Sequence, residues 1–310
     1  MNATPGTAAP SPAPRILLLG ADGQLGWELR RALLPLGEVV ACGRAEADLG
    51  ELDALRALLD RWQPQVVVNA AAYTAVDRAE QEVALAQRVN AEAPALLARW
   101  AAAHDAWLLH YSTDYVFDGT SDAPYDETCT PNPQSVYGRS KLAGELAITA
   151  SGCRHLTLRT SWVYAARGGN FARTMLKLGR EREQLRVVAD QVGAPTAAEL
   201  IADVSALALH RVLADADFAV QAGGLYHLSA AGATSWHGYA QYVLEQARAL
   251  GVELRCRELS PITTAEYPLP APRPANSRLD CARLQQRFGV CLPDWRVQVR
   301  RMLTELLAPR

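Results

Sequence analysis

A tyrosine and a lysine lie four residues apart in the segment SVYGRSKLAGELA, at Tyr137 and Lys141. On a helix this spacing is about one turn, so both side chains project from the same face and their end groups can converge on one site. A phenol beside an ammonium is a proton donor beside a charge that favours its ionised form. A surface pair on an exposed helix is the alternative, and other residues must decide between the two.

A hydroxyl and a carboxylate follow an apolar run in the segment WLLHYSTDYVFDG, where Ser112, Thr113 and Asp114 end a predicted strand. Ligands bind at the carboxyl edge of parallel sheets, so these residues are predicted to lie near the helix of Tyr137 and Lys141. Hydride reduction of a ketone leaves negative charge on its oxygen, which must receive a proton. This hydroxyl, tyrosine and lysine resemble the Ser/Thr, Tyr, Lys set of the short-chain dehydrogenase/reductases. The resemblance implies that Tyr137 donates that proton, Lys141 favours the ionised phenol and Thr113 orients the carbonyl.

Three glycines, Gly20, Gly23 and Gly26, follow the first predicted strand in ILLLGADGQLG. Glycines at a strand-to-helix turn let backbone N–H groups approach a pyrophosphate, and the start of the helix adds partial positive charge. A tight turn that needs only positive φ is the alternative. The strand before the turn and the helix after it, in the first βαβ unit, favour dinucleotide binding.

The elements that must position these residues are visible as apolar runs alternating with longer helical patterns. The runs ILLL, EVVAC, VVVNA, WLLHYS and HLTLR are continuous rather than alternating, which indicates a parallel sheet covered on both faces. The predicted fold is therefore α/β: a Rossmann-type doubly wound parallel sheet with a smaller α/β C-terminal substrate lobe. Helices are predicted near 170–182, 197–212, 236–250, 279–288 and 295–308.

The same patterns suggest how the chain is divided. Residues 1–14 are rich in Pro, Ala and Thr and are predicted to be a flexible leader. The dinucleotide-binding domain is predicted over 15–165, completed by part of 190–228. The substrate-binding lobe is predicted over 166–189 and 229–310.

Composition excludes several classes of function. The 310 residues carry 31 basic and 33 acidic side chains, a net charge of -2, so a nucleic acid partner is not expected. The 6 cysteines are scattered without a CxxC pair, as in a cytoplasmic enzyme with reduced thiols. No apolar run is long enough for a membrane span, and the first residues lack the order of a signal peptide. A cytoplasmic protein without a membrane partner is the expectation.

Cofactor preference is suggested by the end of the second predicted strand, in ACGR. NAD-specific domains usually carry an acidic residue there for the adenosine ribose, whereas this chain has Arg44. A guanidinium can pair with a 2′-phosphate, so NADPH is the predicted cofactor. NADH is the alternative if Arg44 is an ordinary surface residue.

The GxxGxxG spacing and the Thr, Tyr, Lys set resemble the extended branch of the short-chain dehydrogenase/reductase superfamily. Longer blocks from residue 15 onward resemble one family within it, the dTDP-4-dehydrorhamnose reductases. They are GADGQLGWEL, NAAAYTAVDRAE, HYSTDYVFDG, VYGRSKLAGE, LRTSWVYA, NFARTML, DQVGAPT, LYHLS, RPANSRLD and LPDW. The resemblance implies NADPH-dependent reduction of the C4 ketone of a dTDP-sugar, dTDP-4-dehydro-β-L-rhamnose, to dTDP-L-rhamnose.

The resemblance also implies roles for individual residues. The catalytic set is Thr113, Tyr137 and Lys141, with Lys141 also holding the nicotinamide ribose. The sugar would meet Thr113, Asp114 and Trp162, although the Trp162 indole could equally be core packing. Arg273 and Asn276 would face the diphosphate end, unless their loop is simply a solvated basic one. The implied cofactor contacts are Gly20, Gly23, Gln24, Leu25, Gly26, Arg44, Asp48, Leu49, Ala70, Ala71, Ala72, Tyr73, Thr74, Tyr137 and Lys141.

Some members of this family bind Mg²⁺ through three glutamates and form dimers there. The matching positions are Glu28, Glu199 and Glu305, and oxygen ligands suit Mg²⁺. Each lies in a helical pattern where an exposed glutamate is ordinary, so a structural Mg²⁺ site and a homodimer are open expectations.

Two other functions remain open from sequence. A non-catalytic NADP-binding regulatory subunit, of the kind that serves methionine adenosyltransferase, resembles the same family, but the retained Thr113, Tyr137 and Lys141 argue against it. A nucleotide-sugar epimerase or dehydratase of the extended branch is the other. Dehydratases commonly add acidic residues after the strand hydroxyl, and here Asp114 fits that pattern while Tyr115 does not.

Overall fold

The computed structural model describes residues 13–307. Most of the predicted leader, residues 1–12, therefore lies outside the described residues. Strands are numbered along the chain as β1 Arg15–Leu19, β2 Glu38–Cys42, β3 Val66–Asn69, β4 Trp107–Thr113, β5 Arg154–Thr160, β6 Val163–Tyr164, β7 Gln184–Val188, β8 Val192–Gly193, β9 Thr196–Ala197, β10 Gly224–His227, β11 Thr234–Ser235 and β12 Glu258–Ile262.

The helices cover both faces of the sheet and much of the second half of the chain. They are α1 Gln24–Ala32, α2 Leu52–Trp62, α3 Val76–Ala79, α4 Val83–Gln87, α5 Ala93–Ala103, α6 Val136–Ala150, α7 Phe171–Glu181, α8 Ala198–Ala214, α9 Ala216–Ala222, α10 Trp236–Ala249, α11 Ala282–Phe288 and α12 Trp295–Leu307. A π-helical turn, Arg88–Glu92, joins α4 to α5. Within residues 13–307, no helix is long and apolar enough to cross a membrane.

The central sheet has six parallel strands in the order β10-β5-β4-β3-β1-β2, which confirms the predicted fold class. The chain runs outward from β1 to β2 and then returns to β3 on the other side of β1. In open α/β sheets, this switch point leaves a crevice at the carboxyl ends of the two strands. The glycine turn after β1 and the alanines after β3 therefore meet at one place.

Because alternate side chains of a strand point to opposite sides, continuous apolar strands give the sheet two apolar faces that are both buried. Ile16 and Leu18 of β1 belong to one core cluster, together with residues of α1 and α8. Leu17 and Leu19 belong to another, with residues of α2 and α5. All four side chains are fully buried.

The predicted helices of the second half are confirmed as α7, α8, α10, α11 and α12. One boundary was wrong: a helix predicted from residue 279 begins only at Ala282. Residues before it are held extended against Tyr125, which bonds to the Arg278 carbonyl and accepts from the Asp280 N–H. The Asp280 carboxylate then accepts from the Ala282 N–H at 2.8 Å, so the helix starts there. The division into two lobes stays a prediction.

Candidate active site

The helix that carries the tyrosine and lysine is placed by its first turn. The Ser135 side chain accepts a hydrogen bond from the Gly138 N–H at 3.1 Å and so caps α6. A Cβ at Gly138 would collide with the Tyr115 carbonyl oxygen and lie 3.0 Å from Pro133 Cβ. Glycine therefore lets α6 pack directly on the turn that follows β4, which brings Tyr137 to the end of that strand.

The Tyr137 phenol lies near the side chain of Thr113, the last residue of β4. Tyr137 is half-buried and packs edge to face with Tyr115, at 5.6 Å between ring centroids. Burial raises the pKa of Tyr137 to about 12, while a hydrogen bond with Thr113 opposes that rise. A proton donor and a hydroxyl that could orient a carbonyl thus share one end of β4.

Lys141 lies deeper in the same cleft, with 2% of its surface exposed. Its Nζ donates to the Tyr111 carbonyl at 2.6 Å and lies 3.3 Å from His110 Nε2. Burial lowers the pKa of Lys141 to about 8, and the charge of Glu145 opposes that shift. Burial is the largest influence on the Tyr137 phenol and raises its pKa, so the effect expected of Lys141 on that pKa stays a prediction.

Asp114 is a buried carboxylic acid beside the Thr113 hydroxyl. Thr113 donates to its Oδ1 at 3.1 Å, and its Oδ2 is buried without a hydrogen-bond partner among residues 13–307. Burial raises the pKa of Asp114 to about 6. A buried carboxyl with a free oxygen is costly, and such groups are concentrated at functional sites.

The glycine turn has the geometry of a phosphate cradle. Gly20 has φ of 78°, and a Cβ there would lie 2.7 Å from the Ala71 nitrogen, so only glycine permits this approach of β1 to β3. Gly23 begins α1 without a side-chain cap, which leaves the N–H groups of Gln24, Leu25 and Gly26 available. A dinucleotide pyrophosphate fits this arrangement of residues.

The remaining predicted cofactor contacts surround the same crevice. Arg44 is exposed and its Nε donates to Asp48 at 3.0 Å, so its guanidinium is within reach of solvent-borne phosphate. Leu49 is buried in the core cluster with α2 and α5. Three half-buried residues, Ala70, Ala71 and Ala72, follow β3, and the chain continues through a half-buried Tyr73 to an exposed Thr74.

Trp162 has a strained backbone and a fixed ring. Its φ is 47°, a conformation that bulky residues rarely adopt and that is often found at functional sites. The ring stacks on Trp236 at 3.6 Å between centroids, and a Cβ at Gly193 would lie 2.7 Å from the indole. Trp162 is half-buried, so part of its indole is packed and part remains exposed.

The two loop residues predicted to face the diphosphate differ in the structure. Arg273 Nη2 donates to Asp77 at 2.8 Å, which joins its loop to α3. The positive charge of Arg273 also opposes the rise that burial causes in the pKa of Tyr115. Asn276 is buried, and its Nδ2 donates to the carbonyls of Ser121 and Ala123, both at 2.8 Å. The Asn276 amide therefore joins its own loop to the loop of Ser121 and Ala123. Its contact with the nucleotide stays a prediction.

The three glutamates predicted to hold Mg²⁺ lie near one another. The charges of Glu199 and Glu305 help to raise the pKa of Glu28, after the larger effect of burial. Glu199, however, accepts hydrogen bonds from Arg301 Nη2 at 2.6 Å and from Arg301 Nε at 2.9 Å. Within the described chain, no three acidic, histidine or cysteine side chains are grouped to hold a metal ion.

Sequence reasoning missed several buried polar residues beneath the catalytic set. Asn69 and His110 lie in the middle of the sheet, and Glu145 pairs with Arg159 at 2.6 Å with both side chains almost fully buried. Asn90, on the π-helical turn, accepts from the Tyr73 N–H and donates to Ser140. A signal was present: Asn and His interrupt otherwise apolar strands in VVVNA and WLLHYS, where a polar side chain must find a partner.

Comparison with known proteins identifies the family. A family model described as the RmlD substrate binding domain matches residues 14–308. The dTDP-4-dehydrorhamnose reductase of Escherichia coli K12 is 49% identical over 299 residues, covering 94% of this chain and 97% of that protein. This chain belongs to the dTDP-4-dehydrorhamnose reductase family.

Other members of the family agree in length and in fold. The dTDP-4-dehydrorhamnose reductase of Burkholderia thailandensis is 49% identical and covers 95% of this chain and 99% of its own length. The crystal structure of the Bacillus anthracis dTDP-4-dehydrorhamnose reductase in complex with NADP superposes with a TM-score of 0.84 at 31% identity, covering 94% of this chain and 99% of that one. The resemblance noted in the sequence is therefore confirmed.

Proposed function

We propose that this chain reduces the C4 ketone of dTDP-4-dehydro-β-L-rhamnose to dTDP-L-rhamnose, the last step of dTDP-rhamnose synthesis. The observation that carries the proposal is the meeting of Thr113 and Tyr137 at the carboxyl end of β4, with Lys141 one helical turn deeper. Family membership supplies the sugar nucleotide, because the geometry supports reduction of a ketone but does not identify the substrate.

NADPH is the proposed cofactor, with NADH as the alternative. Gly20, Gly23 and the uncapped start of α1 would hold the pyrophosphate, and Arg44 would bind the 2′-phosphate. When bound, the cofactor supplies the hydride that reduces C4. The NADP complex of the Bacillus anthracis relative supports this choice.

Side chains of the protein donate the proton and orient the sugar. Tyr137 donates its phenolic proton to the developing O4 oxyanion, and its buried position keeps it protonated until negative charge appears. Thr113 hydrogen-bonds the ketone oxygen. Asp114, through its free Oδ2, accepts from a sugar hydroxyl, and the exposed part of the Trp162 indole covers the ring.

Tyr137→Phe tests the proposal directly. The variant keeps the ring and its packing against Tyr115 but lacks the proton donor, so kcat is expected to fall by about 100- to 10,000-fold with nucleotide-sugar binding retained. The assay follows NADPH oxidation with dTDP-4-dehydro-L-rhamnose and identifies the sugar product.

A matched control is Tyr242→Phe, since the Tyr242 hydroxyl lies on α10 and donates to the Arg296 carbonyl. Normal turnover is expected in that variant. Full activity of Tyr137→Phe would remove the assigned proton donor. If the unmodified protein did not oxidise NADPH and instead bound a synthetase stably, it would be a regulatory subunit. If it interconverted sugars without net oxidation of the cofactor, it would be an epimerase.

The setting of this activity is also part of the proposal. We infer a cytoplasmic enzyme that meets its dTDP-sugar as a free small molecule and needs neither nucleic acid nor a membrane. A homodimer is proposed from the family resemblance. Sedimentation of the purified protein at several concentrations tests it, and a monomer throughout would count against it.

A further inference from the structure

A row of polar groups crosses the core of the sheet and ends at the catalytic lysine. The Ala71 N–H donates to Asn69 Oδ1 at 3.2 Å, Asn69 Nδ2 lies 3.1 Å from His110 Nδ1, and His110 Nε2 lies 3.3 Å from Lys141 Nζ. Asn69 and His110 are each 1% exposed and Lys141 is 2% exposed. These groups therefore satisfy one another and not solvent.

The direction of every bond in this row follows from its first member. A backbone N–H can only donate, so the Asn69 oxygen faces Ala71 and the Asn69 amide nitrogen faces His110. That nitrogen can only donate, so His110 Nδ1 must accept. A neutral imidazole carries a single proton, which is then on Nε2 and points at Lys141 Nζ.

Lysine can accept this hydrogen bond only as a neutral amine, because an ammonium has three N–H donors and no lone pair. We propose that Asn69 and His110 are positioning residues that present a hydrogen-bond donor to Lys141 and thereby favour its neutral amine in the free protein. The amine still donates to the Tyr111 carbonyl at 2.6 Å and has one further N–H.

An ammonium at the same place requires every side-chain hydrogen bond in this row to reverse its direction. His110 would move its proton to Nδ1, Asn69 would turn its amide, and the Ala71 N–H would lose its acceptor. Ala71 is the residue against which Gly20 packs in the crevice between β1 and β3. The protonation of Lys141 is in this way linked to the backbone of the proposed cofactor site.

Other charged and titratable groups also influence the protonation of Lys141 and of His110. Glu145, one turn along α6, favours the ammonium, but Arg159 from β5 already occupies both of its oxygens. Burial lowers the pKa of His110 well below its ordinary value, and the charge of His155 on β5 acts in the same direction. His110 is therefore the neutral donor that the row requires.

Asn69→Asp reverses the row with almost no change of shape. When the introduced carboxylate is ionised, one of its oxygens still accepts from Ala71 and the other accepts from His110, which must then carry its proton on Nδ1. His110 Nε2 then becomes an acceptor and favours the Lys141 ammonium. His227→Gln is the matched control, since His227 is buried in the same sheet and bonds to the Tyr125 carbonyl.

The test measures the tautomer of His110 by ¹⁵N NMR of histidine-labelled protein, and the titration of Lys141 by ¹³C NMR of its Cε. We expect the Nε2–H tautomer in the unmodified protein and in His227→Gln, and the Nδ1–H tautomer in Asn69→Asp. The apparent pKa of Lys141 should rise by about one unit or more in Asn69→Asp, a tenfold change in the ratio of ammonium to amine.

These measurements need no substrate, so their outcome is separate from that of the proposed reaction. An Nδ1–H tautomer in the unmodified protein would overturn the proposal, and that result is available even if Asn69→Asp does not fold. A folded Asn69→Asp variant with its introduced carboxylate ionised, as shown by ¹³C NMR of that carboxyl, and with an unchanged tautomer and an unchanged Lys141 titration would overturn it as well.

Discussion

Asp114→Asn should make the free protein more stable at neutral pH and less active. The Asp114 carboxyl is 3% exposed, and its Oδ2 has no hydrogen-bond partner among the described residues. An asparagine has nearly the same shape and can still accept from Thr113. It differs from the aspartate mainly in carrying no charge, so it resembles the protonated acid.

The size of the effect follows from the pKa of Asp114, which is 3.8 in a model peptide and about 6 in the folded protein. Between these values the folded protein holds a proton that the unfolded chain has released, so stability falls as pH rises through this interval. Above pH 6 the full penalty is present, about 3 kcal/mol at 1.36 kcal/mol per unit. Below pH 4 both forms are protonated and the penalty is absent.

The assay is urea unfolding of the unmodified protein and of Asp114→Asn at pH 4 and at pH 7.5, with kcat/KM measured at pH 7.5. The variant is expected to gain up to about 3 kcal/mol in unfolding free energy at pH 7.5 and little at pH 4. Loss of a charged hydrogen bond to the sugar should lower kcat/KM by roughly 10- to 100-fold. Equal stability at pH 7.5, or a gain that does not depend on pH, would refute the reasoning.

Three further outcomes are expected. Gly138→Ala should lower kcat at least about tenfold and lower the free energy of unfolding by roughly 1–3 kcal/mol, because the added Cβ would collide with the Tyr115 carbonyl oxygen. The control is Gly169→Ala, since a Cβ at Gly169 would have no neighbouring atom within 4 Å. Equal effects of the two substitutions would contradict this account. Arg44→Gln should lower the ratio of kcat/KM for NADPH over NADH by roughly tenfold or more, and an unchanged ratio would assign the 2′-phosphate to other residues. A chelator should leave turnover unchanged, since Arg301 already binds Glu199; loss of turnover that Mg²⁺ restores would show the opposite.

The fold class and the proposed catalytic set could be predicted from the sequence. Tyr137 and Lys141 are one helical turn apart, and Thr113 ends an apolar strand, so their relative places follow from local periodicity and from the rule that parallel strands end at one edge. The glycine turn was equally local, because strand, turn and helix are adjacent in the chain. Family resemblance added the sugar nucleotide, which no periodicity could supply.

Tertiary structure alone decided how these groups are protonated and supported. Asn69 meets His110 across 41 residues of sequence, and Arg273 meets Asp77 across 196. Which polar residues become partners at such separations depends on the packing of whole elements. The pKa values of Lys141 and Asp114 depend on burial in the same way, since the cost of removing a charge from water is set by every neighbour and not by the residue type.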